Sequence, residues 1–157
     1  MNAQDSIAAR KVHRILVGFD GSDEAEEAAR WGIDLASQMG AQVTLLGVLR
    51  SRKFLETEED QTFSEKEARK AFDKMIEPLH QRAAQLSVAS SSHTVSSEES
   101  PADIICKYAQ DHGFDLVVVG SHGEEQIFHS GLGRSIERLL KNCQCPVLVT
   151  PKHSLRL

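Results

Sequence analysis

Cysteine is scarce in this chain. The three present, Cys106, Cys143 and Cys145, are odd in number and follow no framework spacing. That excludes a disulfide-built scaffold and fits a reducing compartment. Long apolar runs are missing too: none approaches a membrane span, and Met1 to Lys11 lacks the apolar stretch of a signal peptide. A cytoplasmic protein with no membrane partner is therefore expected. Nor is there a basic excess. Lys and Arg number 18 against 23 Asp and Glu, a formal net charge of -5, which speaks against general nucleic-acid binding. No stretch repeats and no linker divides the chain. What remains, at 157 residues with 40% hydrophobic and 26% charged, is one domain with a sizeable core.

Several kinds of chemistry are excluded by similar gaps. There is no G-x-x-x-x-G-K-[ST], and Gly18-Phe19-Asp20-Gly21 does not open a G-x-G-x-x-G. No serine or cysteine nucleophile stands with a base and an orienting acid, so no catalytic residue is assigned. His80, His112 and His129 show no ligand spacing, and no metal site of the protein's own is expected. Cys143-Gln144-Cys145 could serve a metal or redox site, but no second pair accompanies it. Small apolar residues at a helix-to-strand junction is the favoured reading.

What the chain does contain is an alternation of apolar runs and helical patterns. Strands are predicted over 13–18, 43–48, 88–96, 116–120 and 146–150, the third of them serine-rich and assigned to an edge. A first helix starts at a Ser22 or Asp23 cap, carries acids in its first turn, and stops at Gly40. Its apolar stripe of Ala25, Ala28, Ala29, Gly32, Ile33 and Ala36 is small enough to lie close on a sheet. Residues 50–62, with the acidic run 56–60, read as a solvated loop. The next helix runs from Ser64 to Leu86, with Ala68, Phe72, Met75, Ile76, Leu79, Ala83 and Leu86 on one face. Pro78 is expected to kink or split it near Glu77. A third helix begins at a Ser100 cap with Pro101 at its first position, supplies Ile104, Ile105, Tyr108 and Ala109 to the core, and ends at Gly113. Ile136, Leu139, Leu140 and Cys143 mark the last. This order implies an α/β fold with a parallel sheet and helices on both faces. Residues 1–12 form a frayed segment, 13–151 the domain and 152–157 a tail.

Two strands end in glycine-bearing turns: Ile15-Leu16-Val17-Gly18-Phe19-Asp20-Gly21-Ser22 and Val117-Val118-Val119-Gly120-Ser121-His122-Gly123. In open parallel sheets, ligands sit beyond the carboxyl ends of the strands where the winding reverses. If these strands are neighbours at that point, both turns and the helix starting near Gly133 face one crevice, with main-chain N–H groups suited to phosphate. Plain alternatives stand beside this. Asp20 before Gly-Ser could brace a turn, and the Gly120 to Gly123 stretch could be a turn alone.

These same residues, together with Cys145-Pro146-Val147-Leu148-Val149, resemble the universal stress protein family over nearly the whole chain. The resemblance implies a Rossmann-like five-stranded sheet in the order 3-2-1-4-5, related to the adenine nucleotide alpha hydrolases, and a homodimer. The edge position of strand 146–150 in that order points to it as the dimer contact, and a further protein partner is left open. The ATP-binding branch carries G-x2-G-x9-G-[ST], matched by Gly120, Gly123 and Gly133. Arg134 takes the Ser/Thr place, with Ser135 one residue late. By that likeness Asp20 and the main chain of Gly18 and Phe19 hold adenine and ribose, and Val48 packs on the base. Gly120, His122, Gly123, Gly133 and Ser135 surround the phosphates of ATP or a related nucleotide, with Mg²⁺ arriving on the phosphates. Arg134 either pairs with phosphate oxygens or fills their space. The implied function is a regulatory or sensor module in stress response. The rivals are a slow ATPase and a dimeric interaction module that holds no ATP.

Overall fold

Short β-branched runs separated by helices cannot pair as hairpins, and the chain solves this with parallel strands. The computed structural model describes residues 7–50, 58–121 and 134–151. Strands β1 (Arg14–Gly18), β2 (Gln42–Arg50), β3 (Ser90–Ser97), β4 (Leu116–Gly120) and β5 (Val147–Thr150) form one sheet in the order β3-β2-β1-β4-β5. Every pairing is parallel; Ile15 lies beside Val43 on one side and Leu116 on the other. Helices α1 (Asp23–Met39), α2 (Glu58–Gln85), α3 (Pro101–Asp111) and α4 (Arg134–Asn142) supply the crossovers.

The period of two along each strand sorts the core into two faces. Ile15, Val17, Val43, Leu45 and Val118 pack with α1 and α2, whereas Leu16, Leu46, Val117 and Val119 pack with α3 and α4. Helix α1 is the closest-fitting of the four. Its stripe of Ala25, Ala28, Ala29, Gly32, Ile33 and Ala36 is entirely buried. A Cβ on Gly32 would stand 2.8 Å from Val17 Cγ2, so the sheet touches the helix backbone there. Ser22 caps the helix, its Oγ accepting from Ala25 N at 3.1 Å, and Gly40 closes it in the left-handed conformation.

The structure departs from the sequence reading in particular places. Helix α2 begins at Glu58, inside the expected loop, because acids at a helix start answer the dipole and favour the helix. It passes through Pro78 as a single element. The missing hydrogen bond, costing about 3 kcal/mol in a helix interior, is offset by Phe72, Ile76, Leu79 and Ala83 buried on both sides of it. Met75 is 45% exposed and Leu86 39% exposed rather than in the core. Met75 lies over the backbone of Gly21, and Leu86 falls beyond the end of the helix. Leu140 is likewise exposed, since only its neighbour Leu139 points at the sheet. Ser100 holds the N-cap position of α3 without a side-chain cap bond; Pro101 and the acidic Asp103 set that start instead. Serine-rich β3 is indeed an edge. Two of its serines are matched by hydrogen bonds, Ser90 Oγ with His80 Nδ1 at 2.6 Å and Ser91 Oγ with Thr44 Oγ1 at 2.9 Å, whereas Ser96 Oγ is buried without a partner among the described residues.

Gly32→Val tests the close approach of α1. The added carbons must push the helix off Val17, and a destabilisation of about 1–3 kcal/mol is expected from overpacking. Urea unfolding followed by circular dichroism measures it; an unchanged midpoint contradicts the contact.

Candidate functional site

The chain leaves β1 toward the face covered by α1 and α2, and leaves β4 toward the face covered by α4 and α3. The winding therefore reverses between β1 and β4, which are hydrogen-bonded neighbours. Their carboxyl ends mark the place where open α/β sheets hold ligands in a crevice.

On the β1 side the turn is tightly built. Asp20 is exposed, and its Oδ1 accepts from Ser22 N at 3.0 Å and from Ser22 Oγ at 2.5 Å. Gly21 between them has φ 85, a left-handed conformation that glycine takes without strain. Phe19 turns its ring inward, 5% exposed and edge-on to Phe72 at 5.9 Å. Its N–H donates to Leu46 O at 2.9 Å, so that donor is already committed within the sheet. Thus Asp20 does brace the turn, as the plain reading had it, while standing at the crevice.

On the β4 side, Gly120 ends the strand beside Thr150, and buried Ser121 donates its N–H to Thr150 O at 2.9 Å. A Cβ on Gly120 would stand 3.0 Å from the backbone of Glu24 in the first turn of α1. A Cβ on Gly18 would meet Ile105 Cδ1 at 2.8 Å and Val119 Cγ1 at 3.2 Å. Both glycines thus sit in close contact with neighbouring protein, Gly120 against backbone and Gly18 against the movable end of Ile105. Val48, near the end of β2, is half-buried beside Val95 on the α3–α4 face. Arg134 is exposed and Ser135 half-buried in the first turn of α4. Because β4 and β5 run parallel, that turn lies at the same end of the sheet as Asp20. His122, Gly123 and Gly133 lie outside the described residues.

Charge is distributed unevenly around the crevice. Helix α1 answers its own dipole with Asp23, Glu24 and Glu26, which disfavours an anion there, whereas the first turn of α4 sets Arg134 against Glu137. Helix α4 is tied to α3 by a two-pronged Arg138–Asp103 pair at 2.8 and 2.7 Å. The guanidinium holds the Asp103 carboxyl below its usual range. Arg82 joins Asp34 in the same way between α2 and α1, at 3.0 and 2.9 Å. Among the described residues, no group of three or more His, Cys, Asp or Glu could hold a metal ion, and no helix is long and apolar enough to cross a membrane. Sequence reasoning missed Gly21, Ser22 and Met75 as parts of the site. The Asp-Gly-Ser string signalled the first two, whereas Met75 reaches the turn only through the packing of α2 beside α1.

The model of the universal stress protein family matches residues 11–151. The chain belongs to the universal stress protein family. A universal stress protein of Methanocaldococcus jannaschii is 28% identical over 145 residues, spanning 88% of this chain and 82% of that one. The solved structure of the universal stress protein UspA from Lactobacillus plantarum is 26% identical, with a TM-score of 0.74 over 90% of this chain and 99% of that chain. The Arabidopsis thaliana universal stress protein family structure with AMP bound is 19% identical. It shares the fold, with a TM-score of 0.63 over 90% of this chain and 93% of that chain.

Within this universal stress protein fold, Gly120→Ala separates a packing role from a ligand role. The methyl group comes within 3.0 Å of the Glu24 backbone, and a loss of about 1–3 kcal/mol is expected with no nucleotide present. Denaturant titration of the ligand-free variant checks this; parent-like stability assigns the glycine to a ligand instead.

Proposed function

We propose that this universal stress protein binds an adenine nucleotide, ATP with Mg²⁺, and acts as a homodimeric regulatory or sensor module. One observation carries the reading: the winding reverses between β1 and β4, and Asp20, the end of β4 and the first turn of α4 stand at that end of the sheet. The residues there suit such a ligand. The carboxylate of Asp20 offers acceptor oxygens of the kind a ribose hydroxyl donates to. Val48 offers apolar surface for a base. Phosphates belong on the α4 side, where Arg134 is exposed and the carboxylates of the α1 first turn are avoided. Mg²⁺ would arrive with the phosphates and would supply charge neutralisation there. The AMP held by the Arabidopsis protein shows that this fold can take an adenine nucleotide, which adds support.

A second reading, an interaction module that holds no nucleotide, is favoured by the packing demands on Gly18 and Gly120, since these two explain themselves without a ligand. Calorimetric titration with ATP·Mg²⁺ decides between the two. Saturable binding below millimolar concentration is expected, and no heat at millimolar ligand overturns the proposal. Arg134→Ala is expected to weaken ATP by about 1.5–3 kcal/mol, the scale of a hydrogen bond to a charged group, and adenosine much less. Tighter ATP binding by Arg134→Ser shows that the arginine fills the phosphate space.

The dimer rests on β5. This strand is an edge of the sheet, and Val147, Leu148 and Val149 are only half-buried in the single chain. An apolar edge with unpaired backbone groups invites a second copy about a two-fold axis. Sedimentation at about 10–50 μM, where a specific homodimer ordinarily persists, is expected to report a dimer; a monomer there removes this part of the proposal.

A further inference from the structure

The three cysteines, dispersed in sequence, meet at one place. Cys106 lies on α3, Cys143 directly follows α4, and Cys145 stands two residues on, ahead of Pro146 and β5. Cys143 Sγ and Cys145 Sγ are 3.8 Å apart. Cys106 Sγ donates to Leu139 O at 3.9 Å, on the last full turn of α4, and the N–H of Cys143 donates to that same carbonyl at 2.8 Å. All three thiols are free, half-buried, and packed against the core of the α3–α4 face. Filling that space asks only for small apolar side chains, and nothing in the packing asks for sulfur at all three positions.

We propose that Cys143 and Cys145 form a reversible dithiol–disulfide couple at the α4–β5 junction, with Cys106 as the exchange partner of Cys143. With hydrogen peroxide as oxidant the balance is simple. One thiolate attacks the O–O bond, giving a sulfenic acid and, with a proton, one water. The second thiol attacks that sulfur, closing the disulfide and releasing the second water. Two thiols and one peroxide thus become one disulfide and two waters. A disulfide across the single residue Gln144 closes a small strained ring, and strained disulfides are the readily reduced ones. The couple is therefore expected to be reduced at rest and oxidised only under stress. Burial and the adjoining thiols push Cys106 up to about 12 and Cys145 up to about 11. Both thiols are therefore protonated at neutral pH and react slowly with oxidant, in keeping with a couple that is reduced at rest. The site is independent of nucleotide binding, since it lies at the opposite end of α4 from Arg134.

The test uses the full chain, incubated with hydrogen peroxide or with oxidised glutathione, then quenched by alkylation in denaturant. Intact mass and peptide mapping are expected to show loss of two hydrogens, two thiols protected from alkylation, and a Cys143–Cys145 or Cys106–Cys143 link reversed by dithiothreitol. Cys143→Ser is expected to lower the yield of intramolecular disulfide by about tenfold or more, since both links pass through that sulfur. Cys106→Ser is expected to keep the Cys143–Cys145 link. Three alkylated thiols in the oxidised parent overturn the proposal, as does undiminished disulfide in Cys143→Ser. So do mixed glutathione adducts alone, or thiol protection reversed by a chelator rather than by a reductant.

Discussion

The close approach of α1 to the sheet is the contact on which the rest of the arrangement depends. A helix lined by alanines and one glycine can bring its backbone against Val17, and in doing so it carries its first turn across to β4, where Glu24 meets Gly120. This contact sets how closely the first turn of α1 approaches the end of β4. Bulkier residues in that stripe would lift α1 outward and separate the Asp20 turn from the end of β4. The two bidentate arginine pairs, Arg82–Asp34 and Arg138–Asp103, complete the frame by joining helices within each face. Both are exposed and screened, so they align the helices more than they stabilise the fold.

Seen from that contact, the glycine pattern has two layers of meaning. Gly18 and Gly120 admit neighbouring protein, and Gly21 supplies a left-handed turn. A motif that reads as ligand recognition is therefore partly a statement about how closely a helix and a sheet can fit. The same economy is visible at Asp20, whose Oδ1 holds Ser22 in the capping position while the residue faces the crevice. The turn is organised by the chain's own hydrogen bonds.

Much of the fold was legible in the chain. Helix α1, its cap, its stop and every residue of its buried stripe follow from period and end signals, because a local pattern determines which face of a helix is apolar. Strand β4 matches its predicted range, and the resemblance to universal stress proteins supplied the strand order. The misreadings have a common cause. Met75, Leu86 and Leu140 sit at helical spacing with core residues, yet whether they are covered depends on what packs above them. The start of α2 was hidden because an acidic run suits a loop and a helix N-terminus equally well. Pro78 was read by local cost, whereas the buried face around it decided the outcome.

For the candidate site, the sequence by itself determined that two glycine-bearing turns end two buried strands, and that Asp20 precedes a helix cap. Only the tertiary structure decided that these strands are neighbours at the reversal of winding, that Gly18 and Gly120 are crowded by Ile105 and Glu24, and that Met75 lies over Gly21. It also gathered three cysteines, one from α3 and two from the α4–β5 connection, onto one face of the sheet. The physical reason is one of range. Backbone conformation and amphipathic period are written in residues a few positions apart, whereas strand order, helix placement and side-chain convergence are set by contacts among residues many tens of positions apart.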